Sequence, residues 1–137
     1  MHPVSLFPHL FDYQMLGVFM IRATLGLIFV HFAYEKILRA QKERVEFFEE
    51  LKLRPAKVFF WATTLVELVA GIGLTIGLYT QLAATITGSL MALASLMKKH
   101  RPPILPHNTV AFYILLAITS FSILLLGPGS FAFDLPL

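Results

Sequence analysis

Residues 16–38 read LGVFMIRATLGLIFVHFAYEKIL. At 1.5 Å per residue this run is long enough to cross the ~30 Å hydrocarbon core of a bilayer. It nevertheless carries Arg22, His31, Glu35 and Lys36. An ionisable group inside a lipid-spanning helix is costly, so each of these needs a partner, a cavity or a route to the interface. How this stretch is read decides the fold.

Composition places the run in a membrane. Of 137 residues, 57% are apolar and only 14% charged, and mean hydropathy is +0.74. A soluble domain carries about a quarter charged residues. The reading is an all-α integral membrane protein, a single domain over 1–137, built as a four-helix bundle with spans near 16–38, 58–79, 82–97 and 109–126. The third span is the weakest, being short and interrupted by Thr85, Thr87, Gly88 and Ser89. A water-soluble bundle would need polar faces that these segments lack.

The chain has no cysteine, which excludes disulfides, thiol relays, thiolate metal sites and iron–sulfur ligation. A haem held between two spans would want a second intramembrane histidine beside His31. His2, His9, His100 and His107 all fall outside the spans. No metal-ligand spacing, nucleotide-binding loop or nucleophile constellation is present. The expectation is no metal and no covalent cofactor.

Charge distribution gives orientation. Of eleven Lys and Arg residues, Lys36, Arg39, Lys42, Arg44, Lys52, Arg54 and Lys57 fall between spans one and two, and Lys98, Lys99 and Arg101 between spans three and four. The eleventh is Arg22. The positive-inside rule therefore expects loops 36–57 and 98–108 in the cytoplasm and both termini outside. The net charge of +3 is confined to loops beside the membrane, where anionic lipid headgroups are its natural neighbours, and nucleic acid is not an expected partner. Within the first loop, Val45, Phe48 and Leu51 recur at helical spacing over 40–53, with Phe47 adjoining and charges on the other faces. This reads as an amphipathic helix on the inner membrane surface, either a solvated connector or a docking helix for a partner. Pro55 ends it and launches the second span.

Small residues mark candidate packing faces. Gly73 and Gly77 on the second span and Ala84, Gly88 and Ala92 on the third recur every four residues, the pattern that lets helix backbones approach closely. Trp61 and Tyr113 read as inner-interface belt residues, and Tyr34 and Lys36 as interfacial anchors.

Four ionisable groups are the candidate ligand-binding residues: Arg22, His31, Glu35 and Glu67. Glu67 stands near the middle of the second span, where a lone charge costs at least ~2.5–3.5 kcal/mol. The expectation is an Arg22–Glu67 ion pair, either locking the bundle or contacting a ligand. His31 and Glu35, four residues apart, share a face. At 100° per residue Arg22 points nearly opposite to them, which argues against one cavity collecting all four.

The chain resembles the DoxX family of small four-span membrane proteins. The resemblance runs through Arg22-Ala-Thr-Leu-Gly26-Leu-Ile-Phe29 leading to Lys36, Leu53-Arg-Pro55, Glu67-Leu-Val-Ala-Gly71 and Gly77-Leu-Tyr-Thr80. Asn108-Thr109 and Gly127-Pro128-Gly129, with Asp134 behind, extend it. Three positions depart from the family pattern: Ala33 where a glycine is common, Val110 where an acidic residue is common, and the apolar Ser130-Phe-Ala-Phe133. The resemblance implies a bacterial or archaeal cell-membrane protein associated with quinone-linked redox systems, thiosulfate oxidation among them. Three roles follow as expectations. The foremost is an accessory or anchoring subunit of a membrane redox complex, with no activity of its own. The others are a quinone-binding oxidoreductase component and a small-solute carrier element. Its expected partners are the lipid bilayer and either partner subunits or further copies of itself.

Overall fold

The computed structural model describes residues 7–39, 41–100 and 109–134. Ala40, the first residue of the expected surface helix, and most of the second basic loop, 101–108, lie outside the described residues, as do His2 and His107. Every regular element among the described residues is helical. A 3-10 turn, Pro8–Tyr13, leads into α1, Gln14–Leu38. Then come α2, Gln41–Glu50; α3, Ala56–Ile76; α4, Thr80–His100; and α5, Val110–Leu126.

Three of these segments are long and apolar enough to cross a membrane: Pro8–Leu38, Ala56–Ile76 and Thr80–His100. Val110–Leu126 is apolar but shorter. The expected weak point was the third span, yet α4 extends beyond 82–97 at both ends, and α5 is the short one. Its threonines and serines do not break it because they bond within the helix: the Thr85 and Thr87 hydroxyls donate to the carbonyls of Gln81 and Ala83.

α1 packs along α3 and α4 along α5, and the α3–α4 hairpin joins the two pairs. The α1–α3 contact is made by Gly26 and Gly71. A Cβ on Gly71 would stand 3.0 Å from the Gly26 carbonyl oxygen, and one on Gly26 would stand 2.7 Å from the Gly71 oxygen. The small residues expected as packing faces on spans two and three meet several different neighbours, Gly73 among them, where a Cβ would stand 3.7 Å from the Ala83 side chain of α4. Ala84 is fully buried in the core, Ala92 packs at its edge, and Gly88 faces the Phe121 ring of α5. Gly73 lies against the turn that follows α3. Gly77 is not within the helix at all: at φ +75° it is the left-handed residue that ends α3, a conformation open to glycine because it lacks a Cβ. Tyr113, expected at the interface, is buried in the core at 5% exposure, whereas Trp61 remains exposed.

After α5 the chain turns back over the end of the bundle where α1 begins and α3 ends. Gly127 at φ +84° starts the reversal, and the Ser130 amide donates to the Met15 carbonyl. Asp134 then reaches the start of α4, where its carboxylate accepts the backbone N–H groups of Tyr79 and Thr80. These are among the amides that a helix N-terminus leaves without intrahelical partners.

Candidate functional site

The expected Arg22–Glu67 pair does not form. Arg22 is fully buried, and its two terminal nitrogens donate to backbone carbonyls while Nε has no partner among the described residues. Nη1 donates to Leu74 O at 2.6 Å and Thr75 O at 3.2 Å, and Nη2 to Ser130 O at 3.1 Å and Phe131 O at 3.3 Å. The Phe19 ring lies 5.4 Å from Cζ. The reason is directional. Side chains on a helix lean toward its own N-terminus, which for α1 is the end where the C-terminal segment returns, so Arg22 is carried away from Glu67. There it meets the final carbonyls of α3, unpaired within their helix and negative by the helix dipole.

The same geometry supplies Glu67 with a different partner. α1 and α3 are antiparallel, so Lys36 on α1 and Glu67 on α3 lean in opposite directions along the bundle, and the two converge. The Lys36 ammonium donates to Glu67 Oε2. Glu67 is 2% exposed and the Lys36 side chain 22%. The lysine is thus no interfacial anchor: its stem draws the charge into the bundle, where it offsets a carboxylate that could not stand alone.

This pair forms the polar floor of a cavity of about 280 Å³. Its walls are Phe59, Phe60 and Thr63 of α3 together with Leu90, Met91, Ala94 and Met97 of α4. Phe47, Phe48 and Leu51 of the α2 region close it from the side, and Arg44 stands on the same lining. α2 turns Arg44, Val45, Phe47 and Phe48 partly inward and leaves Lys42, Glu43, Glu46, Glu49 and Glu50 exposed. Of four buried side-chain polar atoms without a hydrogen-bond partner among the described residues, Glu67 Oε1 and Thr64 Oγ1 stand here, and Arg22 Nε and Thr80 Oγ1 stand at the opposite end of the bundle. Glu67 and Thr64 both line the cavity, and they lie one helical turn apart on α3, hence on one face.

His31 and Glu35 stand elsewhere. The imidazole Nε2 is 3.6 Å from Glu35 Oε1, and the side chains are 65% and 46% exposed. They occupy the outward side of α1, opposite to buried Arg22. The four candidate residues thus divide among three places, with only Glu67 at the cavity.

A family model described as DoxX matches residues 17–100, more than half of the 137-residue chain. The chain belongs to the DoxX family. Among curated proteins and solved structures, none matches it. With the apolar helices described above, membership makes this DoxX-family chain an integral membrane protein whose helices contact lipid. The matched segment contains Arg22, Lys36, Thr64 and Glu67 and so takes in the cavity floor, whereas the Ser130 and Phe131 carbonyls that meet Arg22 lie outside it. Reading the sequence alone missed Lys36 and Thr64 as site residues. The signal available was the lean of side chains on antiparallel neighbours, but its use requires knowing that α1 and α3 pair.

Proposed function

We propose that this DoxX-family chain is a four-span accessory subunit of a membrane redox complex, and that it supplies a binding site for the headgroup of a lipid-soluble quinone at the Lys36–Glu67 cavity. The observation that carries this reading is the cavity floor, where an apolar pocket ends on a buried carboxylate with one oxygen spare and a buried threonine hydroxyl with no partner. A buried polar group left unpaired costs about 1–3 kcal/mol, which a ligand hydroxyl, as on the reduced quinol form, removes by donating to Glu67 Oε1. The walls suit an apolar ring. The volume, just below the ~300–1,000 Å³ of pockets for drug-sized ligands, suits a single ring and not a dinucleotide.

When bound, a quinone supplies two-electron, two-proton carrier chemistry. The chain's own part is to orient and exclude. Glu67 Oε1 accepts a hydrogen bond from a ligand hydroxyl, Thr64 donates or accepts beside it, and Lys36 holds the carboxylate in place through its other oxygen. Phe60 and Met91 keep water from the ring. With no cysteine in the sequence, thiol and iron–sulfur electron relays are excluded, which supports the accessory role within a larger assembly. In this reading the basic loops face the cytoplasm, α2 lies as an interfacial helix along that surface, and the cavity opens toward it.

The test is quinone content per chain after purification from native membranes in a mild detergent, together with the identity of co-purifying subunits. Wild-type protein is expected to retain quinone, Glu67→Gln and Lys36→Met to lose it, and exposed Glu35→Gln to keep it. Equal quinone content in folded Glu67→Gln, Lys36→Met and wild type would overturn the site. Isolation of the chain alone under every mild condition would overturn the accessory role.

A further inference from the structure

The cavity floor is one-sided in its hydrogen bonding. Of the four buried side-chain polar atoms without a partner among the described residues, Arg22 Nε donates only, and the hydroxyls of Thr64 and Thr80 do either. Glu67 Oε1 accepts only. The Lys36 ammonium donates to the other oxygen, Oε2, so the hydrogen of that contact lies between Nζ and Oε2, and Oε1 is left with lone pairs alone.

The lining supplies no hydrogen to answer it. Thr63, the second threonine there, donates to the carbonyls of Phe59 and Phe60. Thr64 Oγ1, one turn away, is itself unpartnered and so does not reach Oε1. Phe60, Leu90 and Met91 of the walls have no polar hydrogen to give. Glu67 is 2% exposed and Thr64 1%, so bulk water reaches neither. The hydrogen that satisfies Oε1 comes from what fills the cavity.

Resting on the quinone site proposed above, we propose that the cavity selects the reduced form of its ligand, and that Glu67 is the residue that determines this specificity. A quinol ends in hydroxyls, and one of them donates to Oε1. The oxidised ring ends in carbonyls, which only accept. Set against Oε1, a carbonyl brings two oxygen lone pairs face to face and leaves the carboxylate oxygen buried and unanswered, which is the costly state for such a group. Thr64 does not discriminate, because its hydroxyl donates to a carbonyl as readily as it accepts from a hydroxyl. Selectivity therefore belongs to Glu67 and general affinity to Thr64. One ligand hydroxyl suffices, since the floor holds one atom that only accepts. Tighter binding of the reduced form raises the two-electron potential of the bound couple, by about 30 mV for each tenfold preference. The site thus holds a quinol and releases the ring once it is oxidised.

The test is anaerobic titration of the purified full chain with duroquinol and duroquinone, two oxidation states of one ring, and with the monomethyl ether of duroquinol, which keeps a single hydroxyl. Wild type is expected to bind duroquinol at least about tenfold more tightly than duroquinone, the effect of one unanswered buried acceptor, and to bind the monomethyl ether within about threefold of duroquinol. The amide of Glu67→Gln turns either its NH2 or its carbonyl to the ring, so its preference is expected to fall within about threefold through loss of duroquinol affinity. Thr64→Val, of similar volume, is expected to weaken both forms alike and to keep the wild-type ratio. Equal or tighter binding of duroquinone to wild type, a monomethyl ether as weak as duroquinone, a preference kept in folded Glu67→Gln or one lost in folded Thr64→Val would each overturn the selectivity. If wild type binds both forms equally and Glu67→Gln loses both, the quinone site stands and the selectivity falls. If wild type binds neither form, both fall together.

Discussion

The two ends of α1 each bury a cation, and they do so in opposite ways. Toward its N-terminal end Arg22 meets four neutral backbone carbonyls, two from α3 and two from the returning C-terminal segment. At its C-terminal end Lys36 meets one carboxylate, and that carboxylate keeps an oxygen unpaired beside a cavity. The planar guanidinium, with five fixed donors, suits the gathering of several carbonyls. The ammonium on its flexible stem suits a single partner at adjustable reach. A buried charge whose partners are backbone groups pins elements together. One whose partner has capacity to spare is positioned to serve a ligand. The N-terminal end is therefore a lock and the C-terminal end a site.

The strongest way to break this comparison is at the lock. Arg22→Leu removes the hydrogen bonds that tie α1, α3 and the C-terminal segment, leaving their carbonyls unpaired. We expect a loss of about 3–5 kcal/mol, the range for breaking a buried charged network, read as a large fall in the detergent melting temperature. A variant as stable as wild type would remove the distinction between the two ends.

A smaller effect is expected where the returning segment caps α4. Partial burial by itself raises the Asp134 carboxyl, but hydrogen bonds from Thr80 and Tyr79 and the nearby positive Arg22 outweigh it and hold the group below its ordinary 3.8. A carboxyl lowered in the folded state contributes stability above its ordinary value and loses it as pH falls through the lower folded value. Asp134→Asn is expected to cost about 1 kcal/mol, as for loss of a helix cap, and to flatten the acid-side loss. Amide exchange at Tyr79 and Thr80, expressed as a protection factor relative to the intrinsic rate at each pH, measures it: acidification is expected to lower protection in wild type and to change it less in the variant.

The smallest stability effect is expected at the site. Replacing both charges, Lys36→Met with Glu67→Leu, removes a buried ion pair without leaving either partner uncompensated, a change that is commonly neutral or stabilising. The melting temperature is expected to hold or rise while bound quinone is lost. A collapse as severe as that of Arg22→Leu would make the pair a second lock.

Much of the architecture was legible along the chain. Apolar run lengths gave the helices to within a few residues, because crossing hydrocarbon demands a fixed length and an internally bonded backbone. Pro55 stands immediately before α3, and the opposition of Arg22 and His31 followed from helical periodicity alone. The Arg22 lock was legible only in part. Arg22 stood out as buried, but its partners Ser130 and Phe131 lie more than a hundred residues away, and a backbone carbonyl has no residue type to betray it. The cavity was less legible still. Glu67 was conspicuous, while Lys36 looked like any basic residue at a span end.

What the sequence determined by itself was therefore the class of the molecule, its helices and which residues could not be left bare in lipid, since hydrophobicity and helical period are properties of the chain read locally. Which cation answered Glu67 was decided only by tertiary structure. The antiparallel pairing of α1 with α3, set by Gly26 against Gly71, reverses the lean of facing side chains. It brings Lys36 and Glu67 together and turns Arg22 away to the opposite end of the bundle.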